Sequence, residues 1–165
     1  LLAGILSDTL VLRMSTTTPS DLRAVEYLAG ITGLDPVAFG TALIQEGMDL
    51  ESTPLSALLS RDTKRYTLFG TEVVIAQVMM ASDAFIQDRH AAIGKELERL
   101  RKEAAAGLFL ALFTTVIENR SYLFAAGDRS VLAALGYEVQ PVLLAGVMSR
   151  KKDFLPSFGQ KLRDL

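Results

Sequence analysis

Residues 66–78 read Tyr66-Thr67-Leu68-Phe69-Gly70-Thr71-Glu72-Val73-Val74-Ile75-Ala76-Gln77-Val78, and the rest of the chain takes its meaning from them. Two runs of strand formers meet at a glycine, the pattern of a β-hairpin. The β-branched Val73-Val74-Ile75 makes the second arm the stronger strand. Met79-Met80 at its end reads as gap-filling core. Downstream, Ile86, His90, Ile93, Leu97, Leu100 and Ala104 recur at alternating four- and three-residue steps, which predicts one long amphipathic helix starting at Ser82 or Asp83. Glu98 four residues before Lys102 adds a small helix-stabilising pair. Leu108–Ile117 and Tyr122–Ala126 read as strands joined by a turn at Glu118-Asn119-Arg120. A helix over Asp128–Leu135 and a strand over Val139–Val147 follow. Strands alternating with helices imply an α/β fold with a central mixed sheet of about five strands flanked by helices.

Upstream the chain is helical. Thr18-Pro19-Ser20-Asp21 opens a helix with Leu22, Val25, Leu28 and Ala29 on one face and Gly30 and Gly33 near its end. Asp35-Pro36 opens another that runs to about Gly47, and Pro54 a short one around Leu55, Leu58 and Leu59. The chain begins Leu-Leu-Ala-Gly-Ile-Leu, an apolar helical run without a capping residue, and reads as a piece cut from something longer.

Composition narrows the function. The 165 residues are 50% hydrophobic and 22% charged, with 17 Lys+Arg against 19 Asp+Glu and a formal net charge of −2. A chain of this length buries roughly 68–70% of its unfolded surface and holds a core without disulfides or structural metal. With no cysteine there is no zinc–thiolate site and no thiol nucleophile, and a reducing, cytoplasmic compartment is the expectation. One histidine, His90, leaves no triad with a spare imidazole. It reads as a packed, hydrogen-bonded core residue. The slight acidity argues against nucleic acid as a partner, and no apolar run reaches the roughly 18 residues of a membrane span.

Three polar features interrupt these patterns. Asp8 lies in the apolar Leu-Ser-Asp-Thr-Leu segment and reads either as a helix end in water or as a metal ligand. Asp62-Thr63-Lys64 precedes the hairpin; Lys64 reads as a solvated loop cation or as an anion contact. Ser149-Arg150-Lys151-Lys152-Asp153 follows an apolar strand, where a guanidinium fork and ammonium charges suit phosphate oxygens, though a solvated basic loop fits equally.

Taken together, these motifs resemble the C-terminal domain of family II, manganese-dependent inorganic pyrophosphatases of the DHH phosphoesterase superfamily. The likeness covers nearly the whole chain. Residues 1–10 are similar to the segment ending the family's N-terminal domain. Ser15-Thr16-Thr17-Thr18, Asp62-Thr63-Lys64 and Val74-Ile75-Ala76-Gln77-Val78 fall in family order, and Ser149-Arg150-Lys151-Lys152 is similar to its Ser-Arg-Lys-Lys-Gln signature. The resemblance implies that Asp8 is a metal ligand and that Lys64, Arg150 and Lys151 bind pyrophosphate. It also implies that residues 1–165 are one substrate-binding domain, with Leu1–Leu10 the hinge from a missing N-terminal Asp-His-His domain. The cofactor it implies is Mn²⁺, with Co²⁺ or Mg²⁺ as substitutes, in the full-length enzyme only. The isolated chain is then expected to be inactive. Its N-terminal segment is expected to fray or to self-associate. An exopolyphosphatase, which takes polyphosphate, and a non-catalytic anion-binding module are the alternatives. Asp153 departs from the signature's Gln and sets a negative charge beside the expected phosphate site.

Overall fold

The computed structural model describes the chain except Ser15, Met48, Asp49 and Val116 and the side chains of residues 45 and 47. The Ser15 of the expected threonine-rich motif and Val116 of the expected third strand therefore lie outside the described residues. Contacts cluster into two units, 1–49 and 50–165, where the sequence reading expects one domain with a ten-residue linker.

The first unit is helical: α1 (Leu2–Asp8), α2 (Pro19–Thr32) and α3 (Pro36–Gly47). Thr18 and Asp21 cap α2 reciprocally, each side chain accepting the other's backbone N–H, and Gly33 closes it in the left-handed conformation (φ 69°). Of the expected apolar face, Val25 is buried while Leu22 is half exposed. Leu2 and Leu6 are buried, with α1 packed against both α2 and α3, so the N-terminal segment finds cover inside this unit. The chain leaves α1 through three left-handed residues, Leu10, Val11 and Leu12 (φ 47°, 56° and 62°). Such a conformation is costly for a β-branched side chain. Val11 is nevertheless buried, and Gly40 of α3 admits it: a Cβ there would sit 2.9 Å from Val11 Cγ2.

The second unit is a five-stranded mixed sheet in the order β1 (Thr63–Leu68), β2 (Thr71–Met80), β3 (Leu108–Thr115), β4 (Arg120–Gly127), β5 (Val142–Ala145). The hairpin turns on Phe69 and Gly70, both at positive φ. β2 and β3 run parallel and the other neighbours antiparallel. β3 is buried at every position, as a central strand covered on both faces must be. Its odd-numbered Phe109, Ala111 and Phe113 join α4 (Leu55–Arg61) and α6 (His90–Glu103) in one core; Leu108, Leu110 and Leu112 join Leu135 of α7 (Arg129–Leu135) and Phe158 of α8 (Leu155–Arg163) in the other.

Three elements depart from expectation. The long helix is broken into α5 (Ala84–Gln87) and α6, with Arg89 folded back onto the Phe85 carbonyl at 2.8 Å and over the Phe85 ring. His90 heads α6 exposed, its ring edge-on to Phe124, so it is not a core histidine. The last strand shrinks to four residues: Pro141 offers no N–H to the ladder before it, and Gly146 turns left-handed (φ 71°) after it. The final segment was not expected to be helical: one π-helical turn, Arg150–Phe154, leads into α8. Among the described residues, no single helix is long and apolar enough to cross a membrane.

Candidate anion site at the end of the sheet

Strand alternation puts Val73, Ile75 and Gln77 of β2 on the face covered by α7 and α8. The first two are core; Gln77 begins a polar row. Its Nε2 donates to Thr114 Oγ1 at 3.1 Å and to the Met148 carbonyl at 2.9 Å. Thr114 lies 2.8 Å from Ser121, its register partner on β4, and Ser121 donates to the Val147 carbonyl at 2.7 Å. Thr114 and Ser121 are fully buried. Gln77 of β2 and Ser121 of β4 thus hold the backbone of Val147-Met148, with Thr114 of β3 bridging the two side chains, and buried polar groups paired in this way fix a segment firmly.

That segment turns at once into the cationic motif. Asp153 Oδ2 accepts the N–H groups of Met148 (3.0 Å) and Ser149 (2.7 Å), and Ser149 caps the π-helical turn by accepting Lys152 N–H. Arg150 is directed inward: it is only 9% exposed. Its Nη1 donates to the carbonyls of Asp62 (2.8 Å) and Ile75 (3.0 Å), and its Nη2 donates to Asp62 Oδ1 (2.8 Å). The sequence reading of a solvated basic loop fails at this residue. Lys151 and Lys152 remain exposed.

Lys64 lies opposite Ile75 in the β1–β2 register, so it neighbours the carbonyl that Arg150 grips. Alternation sets it on the face of Tyr66 and Leu68, which pack towards Phe154 and α8, and the residue is exposed. The structure therefore brings Lys64 and the 149–152 segment to one end of one face although more than eighty residues separate them. The two nearby carboxylates are both engaged, Asp62 by Arg150 and Asp153 by backbone N–H groups. Sequence reasoning missed Thr114 and Ser121 as parts of this site, singled out Asp62 only within the Asp62-Thr63-Lys64 motif without giving it a role, and took Gln77 only as part of a strand. The available signal was a polar residue on an otherwise apolar strand face.

Two other polar features lie on the opposite face of the sheet. Tyr122 donates to Asp83 at 2.7 Å beside Arg120 and Glu118; burial first, then this bond, pushes its phenol up to about 12. A shallow cleft of about 310 Å³ includes Arg65 and Glu103. Arg65 there is already tied to Glu72 and the Ala104 carbonyl.

Asp8, the last residue of α1, is exposed. Among the described residues no three His, Asp or Glu side chains are grouped to hold a metal ion, so the described residues do not by themselves fit a manganese centre.

Comparison with known proteins agrees with this architecture. A "Probable manganese-dependent inorganic pyrophosphatase" of Thermotoga maritima is 36% identical over 99% of this chain and 30% of its own length. The "Manganese-dependent inorganic pyrophosphatase" of Bacillus subtilis is 32% identical over 94% of this chain and 52% of its own length. A crystal structure described as "Methanococcus jannaschii putative family II inorganic pyrophosphatase" superimposes with a TM-score of 0.77 at 26% identity, over 98% of this chain and 54% of that one. The chain spans about half or less of the length of these relatives. The model of the DHHA2 domain matches residues 41–160, well over half of the sequence, and the chain belongs to the DHHA2 domain family.

Proposed function

We propose that this chain is the pyrophosphate-binding C-terminal domain of a manganese-dependent inorganic pyrophosphatase, which splits diphosphate into two phosphates. The observation that carries the reading is the gathering of Lys64, Arg150 and Lys151 at one end of the sheet, with Arg150 built into the fold instead of waving in solvent. Asp62 and Asp153 offset only part of the charge of Lys64, Arg150, Lys151 and Lys152, and the remaining excess of positive charge, with an immobilised guanidinium fork, suits phosphate oxygens. The names of the relatives supply the substrate.

The chemistry assigned to this chain is electrostatic. Arg150 orients the substrate through directed N–H donors, while the ammonium groups of Lys64 and Lys151 neutralise its peripheral oxygens. As the bridging P–O bond breaks, negative charge grows on the departing phosphate, and fixed cations stabilise that change without reorganising. Asp8 lends one carboxylate to a manganese site whose other ligands come from the part of the relatives that this chain does not span, and residues 1–10 form the connection to it. Acting alone, the chain then binds pyrophosphate but does not hydrolyse it.

Titration calorimetry tests the reading. Pyrophosphate is expected to bind the chain with an affinity that falls as salt rises, and to bind Lys64→Ala and Lys151→Ala more weakly. Both lysines are exposed, so the substitutions leave the core intact. Unchanged affinity in both variants overturns the site.

A further inference from the structure

A guanidinium has five N–H donors, two on each Nη and one on Nε. Those of Arg150 divide unevenly. Both hydrogens of Nη1 are engaged, by the carbonyls of Asp62 and Ile75, and one hydrogen of Nη2 by Asp62 Oδ1. One residue, Asp62, therefore spans both Nη atoms, which places it on the end-on edge of the fork. The two donors left over, Nε–H and the second Nη2–H, lie side by side on the adjacent edge, and among the described residues no acceptor meets them. Asp62 is itself well anchored: its carbonyl also accepts the N–H of Gln77 at 3.0 Å, so the residue bridges β2 and the guanidinium. Its side chain is more than half exposed, whereas that of Arg150 is nine-tenths buried.

We infer that Asp62 is a positioning residue for the anion site: by holding the end-on edge of Arg150 it fixes the plane of the guanidinium and leaves the side-on pair, Nε–H and Nη2–H, as a two-donor fork for one phosphoryl group. This rests on the proposed pyrophosphate site and adds the residue that orients its central cation. Asp62 makes no contact with the ligand. Its effect is to prepay the ordering of a long side chain, so that binding need not immobilise it.

The test separates acceptor from charge. Asp62→Asn and Asp62→Ala both remove the carboxylate's charge, but only Asn keeps an oxygen for Nη2–H. The ratio of their pyrophosphate affinities therefore reads the positioning effect alone. Immobilising one long side chain corresponds to about a three- to tenfold change in affinity, and Ala is expected to bind weaker than Asn by that factor. Asp62→Glu, which keeps the charge but displaces the acceptor, is expected to fall below the wild type. In nitrogen-15 spectra the Arg150 Nε–H resonance should be sharp in the wild type and in Asn, broadened in Ala, and shifted by pyrophosphate where it is sharp. Equal affinities in Asn and Ala, with Arg150 Nε–H still responding to pyrophosphate in the wild type, overturn the role of Asp62 and leave the anion site standing. An Arg150 Nε–H that ignores pyrophosphate in the wild type overturns both.

Discussion

Replacing Gln77 with Leu removes the amide that ties β2 to the cationic segment while nearly conserving volume. Gln77 donates to Thr114 Oγ1 (3.1 Å) and the Met148 carbonyl (2.9 Å) and accepts a long bond from Arg150 N–H (3.4 Å). The losses are unequal. Thr114 keeps Ser121 as a partner and is not orphaned. Met148, only 6% exposed, loses the donor to its carbonyl, and an unpaired buried acceptor costs about 1–3 kcal/mol. The expected destabilisation is about 2 kcal/mol, read as a fall in Tm of roughly 4–8 °C for a chain of this size. Thr114→Val is the control: Ser121 still donates to the Val147 carbonyl, so the loss should be about half as large. Thermal unfolding by circular dichroism gives the first quantity and calorimetric titration with pyrophosphate the second. Because the Leu variant frees residues 148–150, its pyrophosphate affinity should fall further than that of Thr114→Val. Gln77→Leu with wild-type Tm and wild-type affinity would refute the view that this amide holds the site.

Other consequences concern separate parts of the molecule. Gly40→Ala sets a Cβ 2.9 Å from Val11 Cγ2 and 3.3 Å from Leu6 Cβ; overpacking of about 1–3 kcal/mol outweighs the helix-propensity gain, and limited proteolysis should cut faster around residues 10–13. Burial pushes the Tyr137 phenol up to about 12. A phenol raised in the folded state stabilises below the unfolded value near 10 and loses that contribution as pH climbs to about 12. Denaturant midpoints should therefore fall across that window, and Tyr137→Phe should flatten the fall. Asp153→Asn keeps an oxygen for the Met148 and Ser149 N–H groups but removes a negative charge beside Arg150 and Lys151. Pyrophosphate should bind this variant more tightly, with a gain that shrinks in high salt; a gain independent of salt speaks against an electrostatic cause.

What the sequence made legible followed from local rules. The hairpin at Gly70, the capped start of α2 and the doubly apolar β3 were each readable because one local preference agreed with the tertiary outcome. The break between α5 and α6 was not, since the apolar steps run on across it and the folding back of Arg89 onto Phe85 is tertiary. His90 was misread for the same reason: the helical period placed it in the stripe, but it sits at the first turn of α6, where the stripe is no longer covered. Likewise, the cationic character of 149–152 was plain in the sequence. That Arg150 would turn inward depended on Asp62 and the Ile75 carbonyl, nearly ninety and seventy-five residues away, which no spacing encodes.

The shared anion site stands or falls on amide chemical-shift mapping of the chain titrated with pyrophosphate, with sulfate at matched ionic strength as reference. Shifts should concentrate at residues 62–64, at Gln77 and at 148–153, saturate together with a single dissociation constant, and be smaller with sulfate. Shifts spread evenly over the surface, or centred on the Asp83–Arg120 cluster of the opposite face, would contradict a pyrophosphate site built from Lys64, Arg150 and Lys151.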